Sequence, residues 1–307
     1  MTVDQTIRIA TRGSALAMWQ AEFVSSELKS KYPSCEVELV IVKTTGDQDQ
    51  TSRLATFGGV GVFTREVQRA VLDGRADVAV HSLKDLPTET ADGLVLAAVP
   101  KRGPKLDVLV LAAGKDPIQS LADLPGGATV ATGSPRRRAQ LLHARPDLKL
   151  VEVRGNVGTR LEKMDDGLCD AMLLAEAGLV RLGLAERISL LLSPESFLPA
   201  VGQGALGIEC RSDDKETCDR LSGLADEPTI AETTAERALL AELRAGCHAP
   251  LGVWARFDEN QQLLMDAVQL ELDGSRRTHV STTGKLSNAF ETGVELATAL
   301  RRAHDGS

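Results

Sequence analysis

The chain has 307 residues, of which 43% are hydrophobic, 25% charged and 3% aromatic, with a net charge of −8; this is a globular composition, long enough for two or three domains. An acidic balance with few stacking rings speaks against nucleic acid, and the absence of an apolar run of about 18 residues speaks against a membrane span. There is no charged-then-apolar leader, and the five cysteines at 35, 169, 210, 218 and 247 form neither a C-x-x-C pair nor a zinc spacing, so a cytoplasmic protein with reduced thiols and no metal is expected.

The first predicted strand, Ile7-Arg8-Ile9-Ala10, leads through Thr11-Arg12-Gly13-Ser14 into a helix starting near Ser14. A strand over 36–42 follows, then a Gly-rich stretch between Lys43 and Gly61 that reads as a candidate lid. A helix from about Thr64 and the strand DVAVHS (77–82) come next, and later ATVAT (128–132), LKLVEV (148–153) and DAMLLA (170–175). Strands alternating with helices predict an α/β fold with mainly parallel sheets. From about residue 217 the pattern changes. Helices at 217–223 and 230–245, strands at 253–257, 263–272 and 276–283, and a helix near 288–302 describe a small α+β unit with an antiparallel sheet.

Two pairs of segments look alike. Thr11-Arg12-Gly13-Ser14 and Thr132-Gly133-Ser134 each follow a strand and open a helix, and Asp73-Gly74 and Asp166-Gly167 each precede an apolar strand. One α/β module therefore occurs twice. Thr11 and Asp73 lie 62 positions apart but Thr132 and Asp166 only 34, so the first copy carries about 28 extra residues, most of them assigned to the Gly-rich stretch. Each Thr-x-Ser turn places a helix N-terminus at a strand's carboxyl end, where free N–H groups and the helix dipole favour anions; an ordinary N-cap serine is the plainer reading of either turn.

Between residues 134 and 160 seven Lys or Arg residues face only two acids, Asp147 and Glu152. Arginines in the first turn of a helix oppose its dipole, so Arg136, Arg137 and Arg138 suggest an anionic partner more than helix support, and guanidinium forks suit carboxylates or phosphates. A solvated basic face is the alternative. His81-Ser82-Leu83-Lys84-Asp85-Leu86-Pro87 follows a predicted parallel strand at its carboxyl end, where α/β proteins place their sites. Lys84 favours the ionised form of Asp85, which suits acid–base work or stabilisation of a developing cation, whereas a surface turn closed by Pro87 needs no chemistry. His81 alone reads as structural.

Cys247 follows a helix that the sequence ends at Gly246, which places the thiol at the negative end of the dipole and argues against an activated nucleophile. Filler or an attachment point are the readings left, and His248 acquires no role.

Taken together these segments resemble the hydroxymethylbilane synthase, or porphobilinogen deaminase, family: residues 8–20, 80–87, 131–141, 153–167, 170–184, 198–211 and 234–252 carry its motifs in its order over nearly the whole chain. The resemblance implies two periplasmic-binding-protein-like α/β lobes around a cleft plus a small α+β C-terminal domain. The corresponding domains are 1–99 with 199–217, then 105–193, then 222–307, with residues 201–210 rejoining the first lobe as a strand. It implies an enzyme that joins four porphobilinogen units head to tail, with loss of ammonia, on a dipyrromethane cofactor held through a thioether. Cys247 would be the attachment residue and Asp85 the catalytic one, contacting pyrrole N–H groups and stabilising the cationic azafulvenium. Lys84, Thr132, Ser134, Arg136, Arg137, Arg154 and Arg160 would bind the cofactor and growing chain alongside Asp85. Arg12, Ser14, Gln20 and Arg181 would line the side of the incoming substrate.

Each pyrrole brings an acetate and a propionate, which accounts for an arginine-rich site in an acidic protein. No metal, nucleic acid or membrane partner is implied, and the family points to a cytoplasmic monomer of tetrapyrrole and haem biosynthesis. Arg138 and Arg145 match no motif position and read as surface charges. Two departures stand out: Val60 replaces a lid lysine in Gly58-Gly59-Val60-Gly61-Val62-Phe63, and Gly133 replaces a hydroxyl residue. A non-catalytic solute-binding protein would explain the two lobes but neither Asp85 beside Lys84 nor the Gly-Cys in the third domain. A phosphate-dependent transferase lacks its G-x-x-x-x-G-K-[ST] loop.

Overall fold

The computed structural model describes residues 6–43, 64–244 and 249–306. In chain order the elements are β1 (Ile7–Arg12), α1 (Ala15–Lys31), β2 (Val37–Val42), α2 (Arg65–Leu72), β3 (Val78–Ser82), β4 (Leu94–Ala98), β5 (Asp107–Leu111), β6 (Thr129–Ala131), α3 (Pro135–Ala144), β7 (Lys149–Val151), α4 (Val157–Asp165), β8 (Ala171–Ala175), α5 (Glu176–Arg181), β9 (Leu190–Leu191), β10 (Leu206–Arg211), α6 (Lys215–Ser222), α7 (Glu227–Glu242), β11 (Leu251–Phe257), β12 (Gln262–Leu270), β13 (Arg277–Lys285) and α8 (Ala289–Asp305). They fall into two compact units, Met1–Arg102 with Ala205–Ile230, and Gly103–Gly204 with Ala231–Ser307.

The first unit is built on a five-stranded sheet in the order β2-β1-β3-β10-β4. β1 is parallel to both β2 and β3, whereas β10 is antiparallel to β3 and β4. Four of its five strands therefore run the same way, as expected, and β10, which enters from later in the chain, is the one reversed strand. Helix α1 buries Gln20, Ala21, Val24 and Leu28, a stripe at the three-to-four-residue spacing of one helix face. Lys29 and Lys31 in its last turn complement the dipole. That stripe packs with Ile7, Ile9, Val78, Val80 and Ile208 of the sheet, and α2 covers Ala10 and Ala79 with Val67, Ala70 and Val71.

The second unit holds another five-stranded sheet, ordered β7-β6-β8-β5-β9, and a three-stranded antiparallel sheet, β11-β12-β13. Within the larger sheet β6 is parallel to β7 and β8, and β5 is antiparallel to β8 and β9. The smaller sheet alternates along β12, with Leu263, Met265 and Ala267 buried against Ala235 and Leu239 of α7 and Leu296, Ala297 and Leu300 of α8.

The two five-stranded sheets have the same plan, with β1, β2, β3, β10 and β4 of the first corresponding to β6, β7, β8, β5 and β9 of the second. Local bonding repeats too. Arg8 N donates to Asp77 Oδ2 at 3.0 Å while Asp77 N donates to Arg8 O at 2.8 Å; Thr129 N donates to Asp170 Oδ2 at 2.9 Å while Asp170 N donates to Thr129 O at 2.9 Å. The paired residues are 69 apart in the first copy and 41 in the second, a difference of 28. Gly74 and Gly167, at φ +73° and +92°, turn the chain after the second helix of each copy, a conformation that favours glycine. The duplication read from four short segments is thus a duplication of topology.

Several boundaries differ from the sequence reading. Strands β4, β5 and β9 and helix α5 were not predicted, and the helix expected over 230–245 starts earlier and ends at Glu242, with Arg244 left-handed at φ 49°. The expected terminator Gly246 lies outside the described residues, as do Cys247, His248 and the lid segment from 44 to 63. Among the described residues no helix is long and apolar enough to cross a membrane.

Candidate active site

In the first unit β3 is buried along most of its length and ends in a 3-10 turn, Leu83–Asp85. Leu83 and Leu86 are buried, and Leu83 N donates to Ala205 O at 3.0 Å, so the turn is pinned at both ends. Gly207 of β10 makes room for it: a Cβ there would lie 2.8 Å from Leu86 Cδ1 and 3.0 Å from Leu83 Cδ1. With the leucines anchored inward, Asp85 is exposed and Lys84 half-buried. An isolated polar turn would leave the carboxylate free to wander; here the hydrophobic anchors fix where it stands.

Asp85 lines a hollow with Arg12, Ser14, Gln20, Thr64, His81 and Ser82. Four residues predicted from the sequence for substrate binding or catalysis, Arg12, Ser14, Gln20 and Asp85, are therefore brought together. Ser14 caps α1, its hydroxyl accepting from Ala17 N at 3.4 Å, so the plain capping reading and the site reading apply to the same side chain. Gln20 is 3% exposed and donates from Nε2 to Ser82 Oγ at 2.7 Å. His81, read from the sequence as structural, and Ser82 and Thr64, which had no expected role, share the hollow; β3 ends at Ser82 and the following 3-10 turn brings Asp85 to the same place. Behind the hollow His81 Nε2 lies 3.2 Å from Glu209 Oε2, and Gln68 Nε2 donates to the same oxygen at 2.9 Å.

In the second unit Thr132 and Ser134 form the turn between β6 and α3. Ser134 N donates to Thr132 Oγ1 at 3.2 Å, and Ser134 Oγ caps the helix by accepting from Arg137 N at 3.4 Å. Arg136 and Arg137 turn inward. Arg136 Nη1 reaches Asp107 Oδ2 at 2.5 Å and Leu198 O at 2.7 Å, while Arg137 Nε reaches Asp107 Oδ1 at 2.8 Å and its Nη1 reaches Leu173 O at 3.1 Å. Gln203 Nε2 also donates to Asp107 Oδ1, at 3.1 Å. Burial acts to raise the Asp107 pKa, but the two guanidinium charges overcome it and hold the carboxyl well below its usual range. Burial, reinforced by the neighbouring Arg136 charge, pushes the Arg137 pKa down. Asp107 is the residue that sequence reasoning missed, since it lies outside the 134–160 window in which the charges were compared.

Arg154 and Arg160 are half-buried around α4; Arg154 Nη2 is 3.7 Å from Glu152 Oε2, and Arg160 Nε donates to Gly155 O at 2.7 Å. Arg181, at the end of α5, donates to Gly204 O at 2.6 Å, and burial lowers its pKa to about 10, which leaves it charged at neutral pH. Arg138 is exposed, as expected. Arg145 is not a surface charge: it clamps Asp147 through Nε and Nη2 at 2.7 Å each and donates to Leu121 O at 2.5 Å and Leu124 O at 3.1 Å. Another hollow in this unit is lined by Leu243, Ala249, Leu251, Gln269, Arg301 and His304. Leu243 and Ala249 flank the stretch containing Cys247, which itself lies outside the described residues.

Among the described residues no group of three or more His, Cys, Asp or Glu side chains could hold a metal ion, and Cys35, Cys169, Cys210 and Cys218 are free thiols. Arg12 at the hollow of the first unit and the Arg136–Arg137 pair of the second are suited to anionic groups. The profile described as "Porphobilinogen deaminase, dipyromethane cofactor binding domain" matches residues 7–219, and that described as "Porphobilinogen deaminase, C-terminal domain" matches residues 230–302. The chain belongs to the porphobilinogen deaminase family.

Similar curated proteins agree with the family. A porphobilinogen deaminase of Chloroherpeton thalassium is 46% identical, covering 98% of this chain and 96% of its own. One from Maridesulfovibrio salexigens is 45% identical, covering 95% of this chain and 93% of its own. Among solved structures, the periplasmic VFT2 domain of BvgS from Bordetella pertussis superposes with a TM-score of 0.42 at 16% identity, covering 71% of this chain and 85% of that one. For the porphobilinogen deaminase family the cofactor is dipyrromethane, and the buried arginines fit it: Arg136 and Arg137 share one carboxylate, so their cluster retains a positive charge that an acetate or propionate complements.

Proposed function

We infer that this chain is a transferase that joins four porphobilinogen units head to tail onto a covalently held dipyrromethane primer, releases ammonia at each addition and hydrolyses off the linear tetrapyrrole hydroxymethylbilane. The observation that carries the reading is the meeting of Asp85 with Arg12, Ser14 and Gln20 around one hollow of the first unit. When bound, the primer supplies the electron-rich pyrrole carbon to which each new unit is joined.

In this reading Arg12 and Ser14 orient the substrate's carboxylates, and Gln20, fixed by Ser82, shapes the wall beside them. Asp85 faces the pyrrole N–H and opposes the positive charge that develops on the substrate as its amine departs. Lys84, its neighbour in the turn, binds primer or chain carboxylates. In the second unit Thr132, Ser134, Arg136, Arg137, Arg154 and Arg160 hold primer and chain carboxylates, and Arg181 acts on the incoming substrate. Cys247 forms the thioether to the primer. Three domains, 1–99 with 199–217, 105–193 and 222–307, a monomeric state, a cytoplasmic location and no nucleic-acid or membrane partner complete the proposal.

The test is turnover of porphobilinogen to ammonia and linear tetrapyrrole by the purified protein, beside Asp85→Asn. The variant removes charge from an exposed position, so its urea midpoint stays at the wild-type value while kcat falls about 100-fold or more. Wild-type turnover in Asp85→Asn would remove Asp85 from the chemistry, and absence of turnover in the wild type would remove the reading altogether.

A further inference from the structure

Two arginines and one carboxylate occupy the interior of the second unit. Asp107 is 0% exposed, and Arg136 and Arg137 are 5% and 7% exposed. Among the described residues Asp107 is the one acid paired with either arginine. Both its oxygens are engaged. Oδ2 accepts from Arg136 Nη1 at 2.5 Å, while Oδ1 accepts from Arg136 Nη2 at 3.2 Å, Arg137 Nε at 2.8 Å and Gln203 Nε2 at 3.1 Å. Gln203 Nε2 also donates to Lys105 O at 2.9 Å and Leu106 O at 3.2 Å, so it ties the carboxylate to the backbone just before β5.

This cluster has an uneven charge. A buried cation without a counter-charge is strongly unfavourable, and here the first turn of α3 adds the positive end of a helix dipole to two guanidinium groups. Each guanidinium carries five N–H donors, and the contacts to Asp107, Leu198 O and Leu173 O leave N–H groups on both forks. Asp107 therefore cannot serve as a full counter-ion for the pair. It neutralises one charge, fixes the direction of both forks and leaves the other charge for a ligand.

We propose that Asp107, oriented by Gln203, is a positioning residue for primer and chain binding, aligning the Arg136 and Arg137 forks on one ligand carboxylate. The proposal rests on the reading that these arginines meet such carboxylates, and adds the residues that aim them. It separates from a simple charge effect by sign. If the arginines attracted anions by charge alone, removing Asp107 would strengthen binding; if Asp107 aims them, removing it weakens binding although the site becomes more positive.

Asp107→Asn, Asp107→Glu and Gln203→Met are compared with the wild-type holoenzyme by intact mass, urea midpoint, kcat and KM, the mass being read again after a stoichiometric addition of porphobilinogen. Asp107→Asn is expected to lose most of the covalently bound primer, and its folded fraction to turn over about 10- to 100-fold more slowly; Asp107→Glu restores part of both. Gln203→Met, which keeps the carboxylate and both arginines, is expected to fold, to retain its primer and to accumulate chain-extended adducts as kcat falls. Should Asp107→Asn not fold, the decision passes to Gln203→Met. Primer content and kinetic constants equal to wild type in a folded Asp107→Asn, or a wild-type kcat and adduct pattern in Gln203→Met, would overturn the proposal. A wild type lacking both primer and turnover would instead refute the functional reading on which it rests.

Discussion

Asp85, Arg136 and Arg145 show how far a residue's type determines its use. Asp85 is exposed while Leu83 and Leu86 of the same turn are buried, so its carboxylate is held at the hollow that Arg12, Ser14 and Gln20 also line. Arg136 is buried on Asp107, which in sequence stands 29 residues away. Arg145, which matched no functional motif, fastens the segment around Leu121 and Leu124 by carbonyl bonds and an ion pair with Asp147. Arg145→Ala is expected to lower stability by about 1–3 kcal/mol, the usual worth of hydrogen bonds to a charged group, while kcat is unchanged; a wild-type urea midpoint in that variant would return Arg145 to the surface charges. Local sequence could not separate these three cases, since burial and long-range pairing decide them.

At the scale of elements, β10 and β3 carry the site between them. Gly207 on β10 makes way for Leu83 and Leu86, so adding a methyl group there pushes on the turn that holds Asp85. Gly207→Ala is expected to reduce turnover several-fold with a smaller relative change in stability, about 1–3 kcal/mol for a tight site; equal activity per folded molecule would show that the turn does not depend on this contact. Asp77, just ahead of β3, answers to Arg8 and Arg211. Burial acts to raise its pKa, and the hydrogen bonds from Arg8 and Arg211 outweigh it, so the folded value lies below the ordinary carboxylate value. A depressed folded pKa gives stability that is present above the unfolded value, near pH 4, and is lost as pH falls through it toward the folded one. Asp77→Asn should therefore cost stability at pH 7 and much less near pH 3, and an equal loss at the two pH values would mean that the pair does not contribute through its charge. The strand-helix order and the repeat were legible because hydrophobic spacing and the Thr-x-Ser and Asp-Gly turns are local. The reversal of β10 and β5 was not, because a strand's direction within its sheet is set by long-range connections that leave no mark on its own residues.

Across the whole molecule, the chain uses one topology twice and joins to it a small antiparallel sheet with two helices. The two copies carry different chemistry at the same structural place: Ser14 opens α1 beside the Asp85 hollow, and Ser134 opens α3 beside the buried arginines. An acidic protein thus concentrates positive charge on α3 and α4 and at the end of α5. The family motifs made Asp85, Arg12, Ser14 and Gln20 legible as a group before any coordinates, whereas Asp107 and Gln203 emerge only when β5, α3 and the segment before β10 are folded together. The role proposed for Cys247, anchor of the dipyrromethane on which the product is assembled, is read most simply from the intact mass of protein purified from cells able to make porphobilinogen: an excess of one dipyrromethane, absent in Cys247→Ser, is expected, and an unmodified wild-type mass would rule the anchor out.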